Sequence, residues 1–506
     1  MNEQKQILRR DFIKNTAIIA SSVATASAIL VAGCTPEQKE EPKKWPEGKL
    51  NIAVIGIGMG FGNMEKCMDE NIVALCDVDK ERMKGRLDSF KEKYPDKIVP
   101  YVFQDYKKMF AEIGDLIDAV IIATPDHSHA IVTLYAMKLG KHVYCQKPLT
   151  HSVFESRMLT HAAEKYNVAT QMGNQGASGD HTAWICESIW NGDIGEITEV
   201  HAWTNRPIWP QALNRPDDAP SVPTGLDWDL WLGPAPVRPY SPQYHPWSWR
   251  GWFDFGTGAL GDMACHILDV VMRSLRLQYP TGIQASSSRW TLESPPESEK
   301  ISYIFPARES YRNVEMPEVK VTWYDGGLMP DRPLELKDGE KMGDNDGGVL
   351  FVGSKGKILC GCYARNPRRL PTDEFADYSP IINERLVADG MDGHEKDWIR
   401  ACKEDPATRV QTKSHFGYAG PFNEVVVMGT VAARLSGLQR VLQWDGENMK
   451  FTNIGAEEQI RLPKSVKLDE SRNLSRYKSE YELINALEFA ESLINLKPRV
   501  GWELIL

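Results

Sequence analysis

From Leu50 onward, short apolar runs alternate with longer stretches of mixed polarity, and the period predicts strand followed by helix, repeatedly. Leu50–Ile55 reads as a strand. Gly56-Ile57-Gly58-Met59-Gly60-Phe61-Gly62 reads as a glycine-rich turn opening a helix. Asn71–Cys76 is a second strand, closed by Asp77, and Asp79–Tyr94 is a heavily charged helix. Strands follow at Ile98–Phe103 and at Leu116–Ala123, the latter ended by Thr124-Pro125. Then come a helix at Ser128–Leu139, a strand at His142–Cys145, a helix at His151–Tyr166, and a strand at Val168–Met172 ended by Gly173-Asn174-Gln175. Such alternation builds a parallel sheet with helices on both faces.

Beyond about residue 180 the pattern changes. Strand-like runs occupy Glu196–Asn205, Gly282–Leu292 and Val319–Tyr324, and Val349–Val352 with Gly356–Leu359 reads as a hairpin turned by Gly353-Ser354-Lys355. A glycine-rich loop from Phe253 leads into a helix expected to run to about Leu275. Helical patterns cover His394–Cys402 and Pro421–Leu435, Asp445–Asn453 reads as a loop, and Arg461–Pro498 is charged and partly helical, with no role assigned. These runs predict a second α/β domain with a largely antiparallel or mixed sheet. Nine of the 15 tryptophans fall between Trp184 and Trp252. Aromatic surfaces beside polar groups suit sugar faces, but core packing accounts for most such rings.

The first 33 residues read as an address. Arg9-Arg10-Asp11-Phe12-Ile13-Lys14 is a twin-arginine pattern, an apolar run spans Ala17 to Ala32, and Val31-Ala32-Gly33-Cys34 resembles a lipoprotein cleavage box. Export by the twin-arginine route to the periplasm is expected, with a lipid anchor at Cys34 rather than a span, because the apolar run is short of the ~20 residues a span needs. Thr35–Gly48 reads as a charged, proline-containing tether. The expected organisation is therefore 1–33 signal, 34–48 tether, 49–178 dinucleotide domain, 179–455 substrate domain and 456–506 C-terminal extension.

The 506-residue chain carries a net charge of -10 without a long basic run, which excludes nucleic acid as an expected partner. Several of the cysteines beyond Cys34 fall in apolar patterns, and Cys360-Gly361-Cys362 is too tight for a usual zinc knuckle, so no metal site is expected.

Three stretches carry the chemistry. In the first, the turn after the first strand holds Gly56, Gly58, Met59 and Gly60, with Asp77 lying 21 residues after Gly56. Glycines admit a pyrophosphate to the backbone, and an acid at Asp77 suits the ribose diol of NAD and repels the 2′-phosphate of NADP. The third glycine comes one residue early, as a deletion in the turn would produce. In the second, Lys147-Pro148 follows a strand at the edge where parallel sheets bind ligands, although alone it also fits a surface lysine before a loop proline. In the third, Asp262 and His266 share one helix face, as an acid/base pair does and as a capping Asp with an incidental His also does. Asn174, Gln175, Tyr244, His245 and Arg250 are candidate hydroxyl readers. Asp126-His127-Ser128-His129 stands at the sheet edge, either approaching a nicotinamide through His127 and His129 or capping a helix.

Taken together, the strand–GxG turn, Thr124-Pro125, Lys147-Pro148 and Asp262-x-x-x-His266 resemble the Gfo/Idh/MocA oxidoreductases over roughly residues 50–455. The resemblance implies an N-terminal Rossmann domain, a C-terminal α/β domain with a large, mostly antiparallel open sheet, and a homo-oligomer, dimer or tetramer. It implies that Lys147 contacts the reacting hydroxyl and the nicotinamide, that Asp262 binds substrate, and that His266 is the general acid/base. Gln146 stands where the family usually has Glu, so no charge relay passes through it. Thr124, Pro125 and Gln146 join the expected cofactor contacts. The expected cofactor is NAD, loaded before export and tightly held, with NADP less favoured. The expected activity is oxidation of a sugar or glycoside hydroxyl, for instance at C3. The alternatives are an NAD-dependent glycosidase and a sugar-binding lipoprotein without turnover.

Overall fold

Six parallel strands form the first sheet of the computed structural model, in the order β3-β2-β1-β4-β5-β6: β1 Asn51–Ile55, β2 Asn71–Cys76, β3 Tyr101–Phe103, β4 Ala119–Ile122, β5 His142–Cys145 and β6 Thr170–Met172. The structure describes residues 43–469 and 475–506, and those from Trp45 on belong to one compact unit. The twin-arginine pattern, the cleavage box and Cys34 lie outside the described residues. The folded chain starts earlier than expected: Trp45 packs on the core and the Pro46 carbonyl accepts from Asn71, so these residues are not tether.

The doubly wound reading holds strand by strand, and the central strands β1, β2 and β4 are short, largely β-branched runs buried on both faces. Helices Tyr106–Ile113 and Asp180–Trp190 are additions that the sequence pattern does not announce.

The second sheet has nine strands. They are β7 Ile197–Thr204, β8 Gly282–Ser287, β9 Glu299–Phe305, β12 Val319–Tyr324, β13 Gly347–Gly353, β14 Gly356–Gly361, β15 Arg368–Leu370, β16 Leu442–Asp445 and β17 Lys450–Phe451. Between β9 and β12, Arg308–Tyr311 (β10) and Val314–Met316 (β11) form a small separate hairpin. The order is β15-β14-β13-β7-β12-β9-β8-β16-β17, antiparallel throughout except for the central β7–β12 pair. The mostly antiparallel sheet is thus as expected, while two local readings are corrected. Asp445–Asn453 is not simply a loop, since Trp444 and Asp445 pair with Phe451 and Lys450. Arg461–Pro498 is largely a long hairpin, Gln459–Asp469 (β18) against Arg476–Asn485 (β19), before helix Ala486–Ile494. Its apolar residues do alternate, Ile460, Leu462, Val466 and Leu468 and then Tyr477, Tyr481 and Leu483, but only Ile460 and Leu462 are buried, and Arg461 lies over the Tyr481 ring at 3.7 Å.

The two sheets are joined through helix Phe416–Arg434, which packs along helix Val153–Tyr166. Gly420 permits the approach, because a Cβ there would lie 1.8 Å from Thr160 Oγ1. Arg157 forks onto Glu424 with two 2.8 Å bonds. Asn423 accepts from the Leu149 backbone N–H at 2.9 Å and donates to Thr150 Oγ1 at 3.0 Å, so a buried amide of the second domain clamps the loop just after Lys147.

Candidate active site

The turn after β1 closes against the end of β4. Gly56 has φ +83°, and a Cβ on it would lie 2.6 Å from the Ala123 carbonyl carbon, so only glycine fits. Gly60 serves packing instead, since its missing Cβ lets helix Gly60–Glu65 settle on Val54 and Ala123. Asp77, at the end of β2, accepts from Ile57 N and from Asp79 N, both at 3.0 Å, and so holds the turn in shape. Burial pushes its carboxyl up, against the pull of Arg82.

A cleft of about 490 Å³ runs along these strand ends, from Asp77 and Gly58 past Thr124 and Pro125 to Gln146 and Lys147. Thr124 Oγ1 lies on it buried and without a hydrogen-bond partner. A glycine turn without side chains, an acid at the end of β2 and an unpaired hydroxyl midway fit a dinucleotide, and Gly56, Gly58, Met59, Asp77, Thr124, Pro125 and Gln146 would hold it.

Lys147 is 6% exposed and reaches away from the first sheet to the helix Gly258–Ile267 of the second domain. Its ammonium donates to Asp262 Oδ1 at 2.8 Å and to the Asp262 carbonyl at 3.0 Å. Arg250 Nε stands 3.0 Å from the same oxygen as an ion-pair contact, and Arg206 Nε stands 4.0 Å from Oδ2. Despite the opposing effect of burial, Lys147 and Arg250 hold the Asp262 carboxyl well below the usual carboxylate range. His266 sits one turn on, with its ring 4.4 Å from that of Tyr363. Burial and the Lys147 charge keep the imidazole neutral, well below its ordinary pKa, and its Nδ1 has no partner. Tyr363 itself is in the left-handed region, φ 58° and ψ 28°. The expected single helix breaks at Leu268, one residue after the site-bearing segment.

The structure therefore brings Lys147, Asp262, His266 and Arg250 together, with Lys147 and Arg250 on the cleft wall and Asp262 and His266 behind them. Several expected contacts are corrected. His127 is buried between Trp231 and Phe255, and its ring nitrogens face the carbonyls of those two residues at 3.0 and 3.2 Å. His129 faces the Thr124 and Pro148 carbonyls, each at 2.7 Å. Neither ring lines the cleft; both brace its loops from behind. Tyr244 is packed in the cluster of Trp252 and Phe255, its hydroxyl taken by Arg238, so it reads no ligand. Asn174 is buried and engaged with Asp269 and Ser414. Gln175 is half-buried at the start of the 3₁₀ turn Gln175–Ser178, whose next residue, Gly176, abuts Tyr363. His245 lines the cleft but at the Asp79 end, 3.7 Å from that carboxylate. Arg206 and Tyr363 join the site without a signal in the sequence pattern. Arg206 lies two residues past the end of β7, and Tyr363 follows Cys360-Gly361-Cys362, a run whose cysteines draw attention to metal binding rather than to the tyrosine beside them. Of the nine clustered tryptophans, Trp228 and Trp231 stack on each other and Trp252 is fully buried, whereas Trp247 is 62% exposed on the cleft rim.

Gln146 occupies a closed buried network. Its Nε2 donates to Asn63 Oδ1 at 2.9 Å, and Asn63 donates to Glu395 Oε1 at 2.6 Å, which also accepts from Tyr144 at 3.2 Å. The neutral amide is thus matched to a carboxylate already present. Whichever way the Asn63 amide is turned, a second carboxylate would leave one of the two facing its oxygen. Gln146→Glu is expected to cost about 1–3 kcal/mol of stability at pH 7, read as a lower denaturant midpoint; an unchanged midpoint would contradict this account.

Fold and site define a two-domain α/β protein with a Rossmann domain whose cleft fits a dinucleotide. Residues 50–174 match the family model described as "Oxidoreductase family, NAD-binding Rossmann fold", and residues 197–287 match "Oxidoreductase family, C-terminal alpha/beta domain". These two matches, in this order, make the two segments similar to the corresponding domains of the Gfo/Idh/MocA oxidoreductases. Among curated relatives, it is similar to a levoglucosan dehydrogenase of Pseudarthrobacter phenanthrenivorans, 28% identical over 182 residues, covering 36% of this chain and 38% of the relative. It is also similar to a glycosyl hydrolase family 109 protein of Shewanella baltica, 25% identical over 208 residues, covering 39% and 45%. The matches to the first curated relatives span about two fifths of those proteins' own length. In overall fold the chain is similar to the WlbA dehydrogenase of Bordetella pertussis, solved with NADH and UDP-GlcNAcA, with TM-score 0.52 and 15% identity over 78% of this chain and 99% of that one.

Proposed function

We propose that this protein oxidises a secondary hydroxyl of a sugar or glycoside, with NAD held in the cleft between Asp77 and Lys147. The observation that carries the reading is the Lys147 ammonium, fixed on Asp262 at the end of the dinucleotide cleft with the neutral His266 behind it. Bound NAD supplies a hydride acceptor. Lys147 places a positive charge where the hydroxyl oxygen becomes alkoxide. Asp262 remains ionised through the neutral range and accepts a hydrogen bond from a substrate hydroxyl. His266 Nδ1, unpaired and neutral, takes the proton that the hydroxyl releases. Trp247 and the neighbouring Trp249, which lies under Arg250 at 4.2 Å, offer aromatic faces to a sugar ring at the cleft rim. The similarity to a levoglucosan dehydrogenase supports a carbohydrate substrate.

Similarity to glycosyl hydrolase family 109 proteins favours a second reading, cleavage of a glycosidic bond with no net oxidation. The twin-arginine pattern and Val31-Ala32-Gly33-Cys34 support export and a lipid anchor at Cys34. In that compartment a reaction that returns its hydride needs no external acceptor. One experiment separates these readings: nucleotide is released from the purified protein and identified, and the loaded protein is incubated with glycosides with and without an artificial electron acceptor. A keto-sugar formed with the acceptor supports the dehydrogenase, and free sugar without it supports the glycosidase. Saturable sugar binding with neither product and no bound NAD would overturn both in favour of a binding protein.

A further inference from the structure

The cleft has one wall that the two domains do not supply. The segment after helix Ala486–Ile494 crosses back to the first domain, and Trp502 lines the same cavity as Gly58, Asp77 and Lys147. The segment is tied down at several points. Arg499 N donates to the Pro234 carbonyl at 3.0 Å. Its guanidinium donates to Asp229 Oδ1 at 2.5 Å, to the Asp229 carbonyl at 2.6 Å and to the Gly233 carbonyl. Trp502 N turns back to the Arg499 carbonyl at 3.1 Å, and Lys138 Nζ holds the Ile505 carbonyl at 3.0 Å. The indole is half-buried, lies under Lys107 Nζ at 4.3 Å, and reaches the space beside Gly233 that Ser128 also borders.

Sheet order says which end of a dinucleotide this is. Asp77, the ribose-facing acid, ends β2, and Lys147, at the reacting end, follows β5. In the order β3-β2-β1-β4-β5-β6 these lie on opposite sides of the β1/β4 switch point. Lys107 and Tyr106 follow β3, the edge strand beside β2, and open a helix that turns back onto the helix after β4, where Tyr106 meets Tyr135 edge-on at 5.5 Å. Trp502 therefore stands at the end of the cleft remote from the chemistry, where the adenine of a dinucleotide belongs. A rigid half-exposed indole beside a cation, on the wall of a nucleotide cleft, is a surface on which a base stacks.

We propose that Trp502 is a nucleotide-binding residue. The segment Arg499–Ile505 is a clasp that closes the adenine end of the cleft and holds the dinucleotide in place, so that a distant part of the chain completes a site whose other walls are the Rossmann domain and the 225–250 region. The proposal rests on the dinucleotide reading of the cleft and adds to it a residue outside both matched family segments.

The test is made on the full chain, stripped and reloaded. NADH affinity and dissociation rate, and competition by AMP and by nicotinamide mononucleotide, are compared for wild type, Trp502→Ala and Trp502→Phe. Trp502→Ala is expected to weaken NADH and AMP about 10-fold or more and to speed NADH release by a similar factor. Nicotinamide mononucleotide should be unaffected, and Trp502→Phe, which keeps a ring, should recover most of the loss. Equal affinity of wild type and Trp502→Ala for AMP and NADH would overturn the clasp while leaving the dinucleotide site standing. Equal weakening of the mononucleotide and AMP would overturn the adenine assignment. A wild type that binds neither NADH nor AMP would overturn the dinucleotide reading itself.

Discussion

Lys147→Ala protein is expected to keep its bound dinucleotide and to lose turnover by about 100- to 10,000-fold, the range for removing one positioned proton-transfer or charge-stabilising group. Lys147 is the side chain that spans the two domains: it leaves the end of β5, lies on the cleft wall and ends on Asp262 at 2.8 Å. No other described cation combines those positions. Arg250 also contacts Asp262 and the cleft, but it approaches from the second domain and its Nε makes no aligned hydrogen bond. The separation of effects is the sharper part of the expectation. On the proposed function the dinucleotide would be held mainly by the turn after β1 and by Asp77, so nucleotide content should change little while kcat collapses. His266→Ala should lower kcat as well, with nucleotide content again preserved. Its pH dependence has a defined sign: His266 is held well below its ordinary pKa, so the neutral, proton-accepting form persists as pH falls through about 6.5, and the rate declines only at lower pH. Unchanged turnover in both variants would remove this constellation from the reaction.

Asp262→Ala carries the largest expected stability loss, about 3–5 kcal/mol, because it strips the carboxylate from a buried ion cluster rather than replacing the cluster as a whole. Lys147, Arg250 and Arg206 would be left within one another's field, with Lys147 6% and Arg250 9% exposed. The measurement is urea unfolding of wild type and variant, each loaded with nucleotide. The pH dependence follows from the direction of the shift. The folded-state carboxyl is depressed, so the stability it contributes is fully present above the unfolded value of about 3.9 and is lost only as pH falls through the still lower folded value. The penalty for Asp262→Ala should therefore be constant from neutral pH to about 5 and shrink in stronger acid. Restoring stability with a second change, Lys147→Met in the Asp262→Ala background, would confirm that the uncompensated charge is the cause. A penalty below about 1 kcal/mol would mean that solvent reaches the cluster and screens it.

The legible part of this protein is the part written in local pattern. β1, its glycine turn and Asp77 are contiguous signals with a short-range cause: buried parallel strands read as apolar runs, and Gly56 is required by a contact with Ala123 that any such turn must make. Lys147 and Asp262 are legible for a related reason, since a charged residue at a strand end or on a helix start stands out against apolar neighbours. Roles that depend on what lies across the chain are not legible. His127 and Tyr244 have the chemistry of site residues, and their burial against Trp231, Trp252 and Phe255 is invisible in their own surroundings. The hairpin of β18 and β19 does carry alternation, at Ile460, Leu462, Val466 and Leu468 and at Tyr477, Tyr481 and Leu483, but its dense charge draws the eye first and nearly all of it is solvated, so the alternation marks no buried face.

By itself, the sequence determined the order of strands in the first domain, the glycine turn after β1 and the lysine at the end of β5, because hydrophobic period and glycine conformation act over a few residues. Only the tertiary structure decided that three cations converge on Asp262, that His266 is neutral and faces Tyr363, that Gln146 belongs to the Glu395 network, and that Trp502 lines the cleft. Each of those depends on burial and on partners far apart in the chain, 115 residues for Lys147 and Asp262 and 83 for Gln146 and Asn63, or on a charge balance that exists only once the two domains close on one another.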